Sequence, residues 1–422
     1  MTYTKTVLDN GLRILSSSMP HVRSASVSVL VGTGSRYESL EESGISHFVE
    51  HILFKGSENR PSSEEIAEAI EGVGGVLNGG TDKELTVYWV KIMDSHLELA
   101  ADVLSNLIRH PILDSTEIEQ ERQVIIEEIN MSMDSPQQRA NILIDEVIWP
   151  DQPLGRDVAG SRESVSAITP EILRNCWASQ YGPANTVVSV AGNVQHEEVV
   201  SLLNRLLGGW AHVNSKPWFP AQEAQDKPRM LLESRDSEQS HICLALRGIS
   251  NQHPDRFAFD ILNVILGEGM SCRLFRELRE KLGLAYDVHS YISHFFDSGA
   301  LTIYAGVNPA NVEATTEAIL NELAKLRDVP VTEIELTKAK EMVKGRLVLR
   351  MEDSRSVSSW FAGQELLLGK IQDIDEVISI VESVTSEDMS RVAGDWFCSA
   401  GLNLAVVGPQ PNESRLENLL KL

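Results

Sequence analysis

Thr116-Glu117-Ile118-Glu119 recurs as Thr332-Glu333-Ile334-Glu335, an offset of 216 residues in a chain of 422. A repeat at half the chain length implies two folded bodies of one design. Around it, the two copies keep the same order of elements. The alternating strand Ala25-Ser26-Val27-Ser28-Val29-Leu30-Val31 has its counterpart in His241-Ile242-Cys243-Leu244-Ala245-Leu246-Arg247, and an apolar helix follows each. Near the end of each half a valine-rich strand stops at glycine, from Thr186 to Gly192 and from Leu402 to Gly408. Between the halves, Lys216-Pro217-Trp218-Phe219-Pro220 through Lys227-Pro228 breaks all periodicity and reads as a linker. Strands, then helices, then further strands in each half predict an α+β fold. The expected organisation is two tandem homologous domains, 1–215 and 229–422, joined by 216–228, each a mainly antiparallel sheet covered by helices.

Bulk composition narrows the function classes. The chain is too long for one ordinary hydrophobic core, and 42% hydrophobic with 23% charged residues is the balance of a soluble globular protein. A net charge of −24 argues against nucleic acid as a partner, because phosphates need Lys and Arg. The same charge suits basic peptides held in a negative chamber, and equally a merely well-solvated surface. Cys176, Cys243, Cys272 and Cys398 are scattered without paired spacing, which predicts free thiols in a reducing compartment and no cysteine metal site. The stretch from Met1 to Gly11 reads as a strand running into a turn, with no apolar signal core and no Arg-rich presequence. No apolar run is long enough to span a bilayer, so a cytoplasmic protein without membrane partners is expected.

The chemistry is carried by His47-Phe48-Val49-Glu50-His51. On a helix, residues four apart stand one turn above each other, so both imidazoles can grip one ion with Glu50 beside them. Two neutral imidazoles and a carboxylate suit zinc, and His-x-x-Glu-His is the inverse of the commoner zinc-helix pattern. The bland alternative is a surface helix with two chance histidines. Acidic and small polar residues at Glu41-Glu42-Ser43-Gly44 should start this helix and Lys55-Gly56 should end it, with Ile45, Phe48, Ile52 and Leu53 packing it down. Two histidines need a third ligand. A second acidic helix, 116–133, offers one. There Glu121 and Glu128 are seven apart, on one line with Val124 and Ile125 between them, and a carboxylate on an aliphatic stripe is drawn inward where a cation would compensate it. Glu128 is the favoured ligand and Glu121 a group that orients a ligating histidine, while Glu127 points about 100° away. Periodicity favours Glu128 over Glu127 without excluding the latter.

The ordering His47-x-x-Glu50-His51, followed by Glu128 inside Glu-Arg-x-Val-Ile-Ile-x-Glu, resembles the pitrilysin/insulinase family of inverted-motif zinc peptidases, nearest to its short members, the mitochondrial processing peptidase β-subunit and bacterial homologues. His51-Ile52-Leu53-Phe54-Lys55-Gly56 and Gly74-Gly75-Val76-Leu77-Asn78 agree, and the likeness covers essentially the whole chain. It implies one zinc ion per chain on His47, His51 and Glu128, Glu50 as general base, and Glu121 as supporting carboxylate. It also implies a zinc endopeptidase acting on unfolded peptides or flexible leaders inside a chamber made by two chains, a homodimer or a heterodimer with a homologous subunit. One departure is Asn78-Gly79-Gly80-Thr81, where relatives place Ala and a larger residue after Asn. Glycines weaken a strand and let another backbone approach closely, so the substrate-facing edge is expected to be unusually accommodating; by the resemblance an extended peptide adds as a strand beside the segment following Asn78.

The second half lacks the metal set. Anchoring Gly56 on Gly267 brings Ala258, Ile261 and Leu262 opposite His47, Glu50 and His51, and the 216-residue offset brings Lys344 opposite Glu128. If the polar quartet were only what this helix pair needs to fold, both copies would keep it. The second half instead carries Gly267-Glu268-Gly269-Met270-Ser271-Cys272-Arg273-Leu274-Phe275 and then Arg279 through Tyr286. In the family an Arg and a Tyr at this spacing contact the substrate, which implies Arg279 on substrate carbonyls and Tyr286 on the developing oxyanion. By themselves they read equally as a helix-terminal cation and an ordinary strand aromatic. The competing hypothesis is a non-catalytic scaffold or partner subunit of the same two-domain fold. A purely structural metal is disfavoured, since a closed site wants four protein ligands, usually with cysteine.

Overall fold

A computed structural model describes residues 2–222, 224–409 and 412–422 of the chain. Its fold is α+β, with two sheets and many helices. The first sheet contains β1 (Thr4–Val7), β2 (Arg13–Ser18), β3 (Ser24–Val31), β4 (Val76–Thr81), β5 (Thr86–Met93) and β6 (Thr186–Gly192) in the order β1-β2-β6-β3-β5-β4. The second contains β7 (Arg229–Ser234), β8 (Ser240–Arg247), β9 (Ala285–His294), β10 (Gly299–Val307) and β11 (Leu402–Gly408) in the order β7-β11-β8-β10-β9. Apart from the extra β1 the two orders are the same, and in each only the outer pair, β2 with β6 and β7 with β11, runs parallel. The repeat seen in sequence is thus a repeat of topology, and β6 and β11 have the bounds that the valine runs predict.

Compact units cut across the linker. One comprises Met1–Ile129, Asp157–Phe219 and Leu347–Asp375, the other Asn130–Arg156, Pro220–Arg346 and Glu376–Leu422. This differs from the linear division at 216–228. The cause is an exchange of equivalent helices. Pro136–Ile148 from the first repeat packs on β8 and β11, and Ser354–Leu368 from the second packs on β3 and β6. An alternating antiparallel strand ordinarily leaves one face to water. Here both faces of β3 are covered. Ala25, Val27, Val29 and Val31 join the main core beneath the helices of the first unit. On the other face Ser26 and Ser28 are buried, and their hydroxyls meet Ser354 at 2.9 Å and Ser358 at 2.7 Å. The corresponding cover in the second unit is apolar, with Leu143, Ile144 and Val147 against Cys243, Ala245 and Val407.

Buried polar groups tie the first unit's loops to its sheet. Arg36 is fully buried, paired with Glu84, donating from Nε to the Phe219 carbonyl at 3.1 Å and lying 4.3 Å over the Trp218 ring. Its backbone N–H donates to the Lys83 carbonyl, which fixes the turn between β4 and β5. Among the described residues β4 is an edge strand, paired only with β5.

Candidate metal centre

The helix Ile45–Leu53 starts seven residues after a buried acid. Glu38 accepts hydrogen bonds from the N–H groups of Gly44 and Ser46, both at 2.8 Å, and so satisfies donors that a helix start leaves unpaired. The expected acidic start is real, but Glu38 supplies the carboxylate. Gly44 has φ of 90°, and a Cβ there would lie 2.5 Å from the Ala159 carbonyl oxygen, so only glycine enters the helix this way. Ile45, Phe48, Ile52 and Leu53 are all buried and fix the helix in the first unit's core. His47, Glu50 and His51 are thereby carried on a rigid element.

The imidazoles converge. His47 Nε2 and His51 Nε2 are 3.1 Å apart, and Glu128 Oε2 lies 3.8 Å and 3.6 Å from them. Two zinc–nitrogen bonds of about 2.0–2.1 Å on a tetrahedral ion put their nitrogens roughly 3.3 Å apart, so these separations fit a shared cation. Among the described residues, His47, His51 and Glu128 form the one group of this kind. Glu121 accepts from His51 Nδ1 at 2.9 Å, which leaves the His51 Nε2 lone pair facing the centre, and its other oxygen meets Lys55 Nζ at 2.5 Å. Burial would raise the Glu121 carboxyl, but His51 and Lys55 outweigh it and hold it below the usual range. Burial, with His51 next to it, lowers His47 to about 4, which keeps it neutral and able to ligate at neutral pH. Its buried Nδ1 has no hydrogen-bond partner among the described residues, unlike that of His51.

The helix Ser115–Asp134 carries both glutamates, close to the predicted span. Its facing differs from the expected stripe. Ile125 and Glu121 are buried, yet Val124 is 51% exposed and the Glu128 side chain 49% exposed. Glu128 stands at the margin of the buried face and reaches inward to the imidazoles. Of the two aliphatics expected beside it, Ile125 is buried and Val124 is turned to the outside. Glu127 is exposed, as expected.

Glu50 is buried, and burial pushes its carboxyl above the usual range although His51 and the Thr81 hydroxyl oppose the shift. Thr81, on β4, donates to Glu50 Oε2 at 3.1 Å. Neither Thr81 nor Lys55 stands out in the sequence. Thr81 ends the flagged Asn78-Gly79-Gly80-Thr81 stretch, but its link to a residue 31 positions earlier needs the tertiary fold. Asn78 lies on the same strand, with Oδ1 accepting from the Gly79 N–H at 2.7 Å.

Arg279 and Tyr286 belong to the second unit and meet each other. Arg279 sits in a π-helical turn, Phe275–Lys281, and its guanidinium lies 4.5 Å over the Tyr286 ring and donates to the Tyr286 carbonyl. Tyr286 is 76% exposed. His289, next on that strand, has Nδ1 3.1 Å from the Asp287 carboxylate and its ring against Tyr304. The positions matching the metal helix are buried aliphatics, Ala258, Ile261 and Leu262. The four cysteines are unpaired.

Residues 13–162 match the family model described as insulinase, peptidase family M16, and residues 167–343 match the one described as the peptidase M16 inactive domain. A zinc protease of Mycobacterium leprae is 36% identical over 422 residues, spanning 99% of this chain and 94% of its own length. The chain belongs to the M16 peptidase family. Another M16 relative, a zinc protease of Bacillus subtilis, is 36% identical over 96% of this chain and 97% of its own length. The crystal structure of a protease from Helicobacter pylori superposes with a TM-score of 0.92 at 26% identity, covering 97% of this chain and all of that one. A Pseudomonas fluorescens structure titled as an M16 inactive domain shares the fold, with a TM-score of 0.91 at 18% identity. The span that matches the M16 inactive-domain model contains Ala258, Ile261 and Leu262, the aliphatics at the positions where the first repeat carries His47, Glu50 and His51.

Proposed function

We propose that this M16 chain is a zinc-dependent endopeptidase that cleaves unfolded peptides or flexible leader segments. The observation that carries the reading is the convergence of His47 Nε2, His51 Nε2 and Glu128 Oε2 beside a buried carboxylate, Glu50. These three residues would hold one zinc ion, which supplies the Lewis acidity that acidifies water and polarises a carbonyl. Glu121 keeps the His51 ring turned with Nε2 inward. Glu50 takes the proton of the attacking water and returns it to the nitrogen of the leaving amine, a role that its raised affinity for protons favours. Tyr286 donates its phenol to the developing oxyanion, and Arg279 donates to substrate carbonyls. The peptide adds as a strand along the open edge of β4 beyond Asn78, bound largely through its backbone.

Two chains, identical or homologous, close around the substrate, and a chamber of that kind admits extended chains and rejects folded ones. The negative charge of −24 favours basic peptides within it. The unpaired cysteines support a reducing, cytoplasmic setting, and no helix among the described residues is long and apolar enough to cross a membrane. A non-catalytic subunit is the second reading, favoured only by the inactive-domain match. That match falls on residues 167–343, outside the metal helix. Metal analysis together with cleavage of a quenched peptide library, with and without chelator, separates the readings. The expected result is one zinc per chain and chelator-sensitive cleavage; zinc binding without any cleavage favours the scaffold.

A further inference from the structure

Glu50 is restrained from β4 as well as from its own helix. Gly79 and Thr81, two apart on the strand, present the same face to it. A Cβ on Gly79 would lie 2.8 Å from Glu50 Oε1 and 2.9 Å from the Phe54 ring, so the bare glycine lets the carboxylate lie close against the strand and offers no side chain to hold it. The hold comes from Thr81, whose hydroxyl makes the one hydrogen bond to the Glu50 carboxylate among the described residues. We infer that Thr81 is a positioning residue that aims the Glu50 carboxylate for proton transfer, in a site where Gly79 leaves that carboxylate otherwise unsupported. The inference rests on the reading of Glu50 as the proton acceptor.

Three features suit Thr81 to this task. A β-branched side chain has few χ1 choices, so its hydroxyl is held in direction as well as in place. A hydroxyl has a single proton, and here it is committed to Oε2, leaving Oε1 to receive the proton of water. The hairpin that carries Thr81 is itself fixed, because the Asp82 N–H donates to the Leu85 carbonyl and the N–H groups of Ser35 and Arg36 donate to Asp82 and Lys83. Buried Arg36 and Glu84 pin the same turn from beneath. The carboxylate is thus held between a buried helix and a hydrogen-bonded turn through a single hydroxyl.

Thr81→Val keeps the shape of the side chain and removes the hydroxyl; Thr81→Ser keeps the hydroxyl. Crystal structures of the metal-free proteins read the carboxylate directly. Wild type and T81S should hold Oε2 beside the hydroxyl, and T81V should turn Glu50 to another rotamer or spread it over two. An unchanged Glu50 in T81V overturns the inference. With zinc restored, T81V should lower kcat about 10-fold while KM stays within about 2-fold, and T81S should recover most of the loss. Wild-type kcat in T81V, or T81S as slow as T81V, also overturns it. A wild-type protein that binds zinc and cleaves nothing sinks the peptidase reading and with it the proton-transfer role, while the metal-free structures still decide separately whether Thr81 holds the Glu50 carboxylate.

Discussion

Glu128 shows what a single residue can disclose. The seven-residue spacing from Glu121 identifies two carboxylates on one line of a helix, and both reach the imidazole pair, one directly and one through His51. Periodicity puts Val124 and Ile125 beside these carboxylates on one face, but only Ile125 is buried and Val124 points outward. Helical spacing is local and legible; the rotation of a helix against its core is set by contacts made elsewhere in the chain. Thr81 was out of reach for the same reason. Glu50→Gln should keep folding and zinc content and lower turnover at least about 100-fold, read by steady-state kinetics beside metal analysis. Glu128→Ala should lose most of the zinc where Glu127→Ala keeps it, measured by equilibrium dialysis, and equal zinc in both would transfer the third ligand to another residue.

Elements were the most legible level, because strands and helices follow periods that a sequence displays. The strands ending at Gly192 and Gly408 and the two acidic helices lie where alternation and capping put them. What covers each sheet was not legible, since a covering helix can come from any part of the chain. The helix Ser354–Leu368 rests on polar contacts: serine pairs, the ion pair of Lys91 with its N-cap Asp353, and Lys5 with Glu365 at 2.5 Å. Burial would raise the Asp353 carboxyl, but Lys91 and the Ser356 amide outweigh it and leave it below the usual range. A depressed carboxylate contributes stability that is full above its unfolded pKa of about 4 and is lost as pH falls through the folded value. Asp353→Asn should therefore weaken the protein at neutral pH and flatten the acid limb of its thermal-unfolding profile; an unchanged limb would count against the pairing. Arg36→Met removes the buried guanidinium paired with Glu84, and urea unfolding should register a loss of about 3–5 kcal/mol.

On the scale of the whole molecule, the repeat is stronger in topology than in sequence. Five strands recur in one order, while the chemistry was kept in one copy and replaced by Ala258, Ile261, Leu262 and Lys344 in the other. The exchanged helices mean that neither repeat contains everything its own sheet needs. Residues 1–215 expressed alone should show no cooperative thermal unfolding, and co-expression with 216–422 should restore it; a fragment that melts sharply by itself would refute the dependence. The serine face of β3 has a further consequence for biosynthesis. A ribosome that has finished β6 must add more than a hundred residues before Ser354–Leu368 exists, a wait of roughly 10–30 s at bacterial or eukaryotic speeds. Through that interval one side of the nascent sheet has no lid, and a row of hydroxyls there keeps company with water where valines would seek out other unfinished chains.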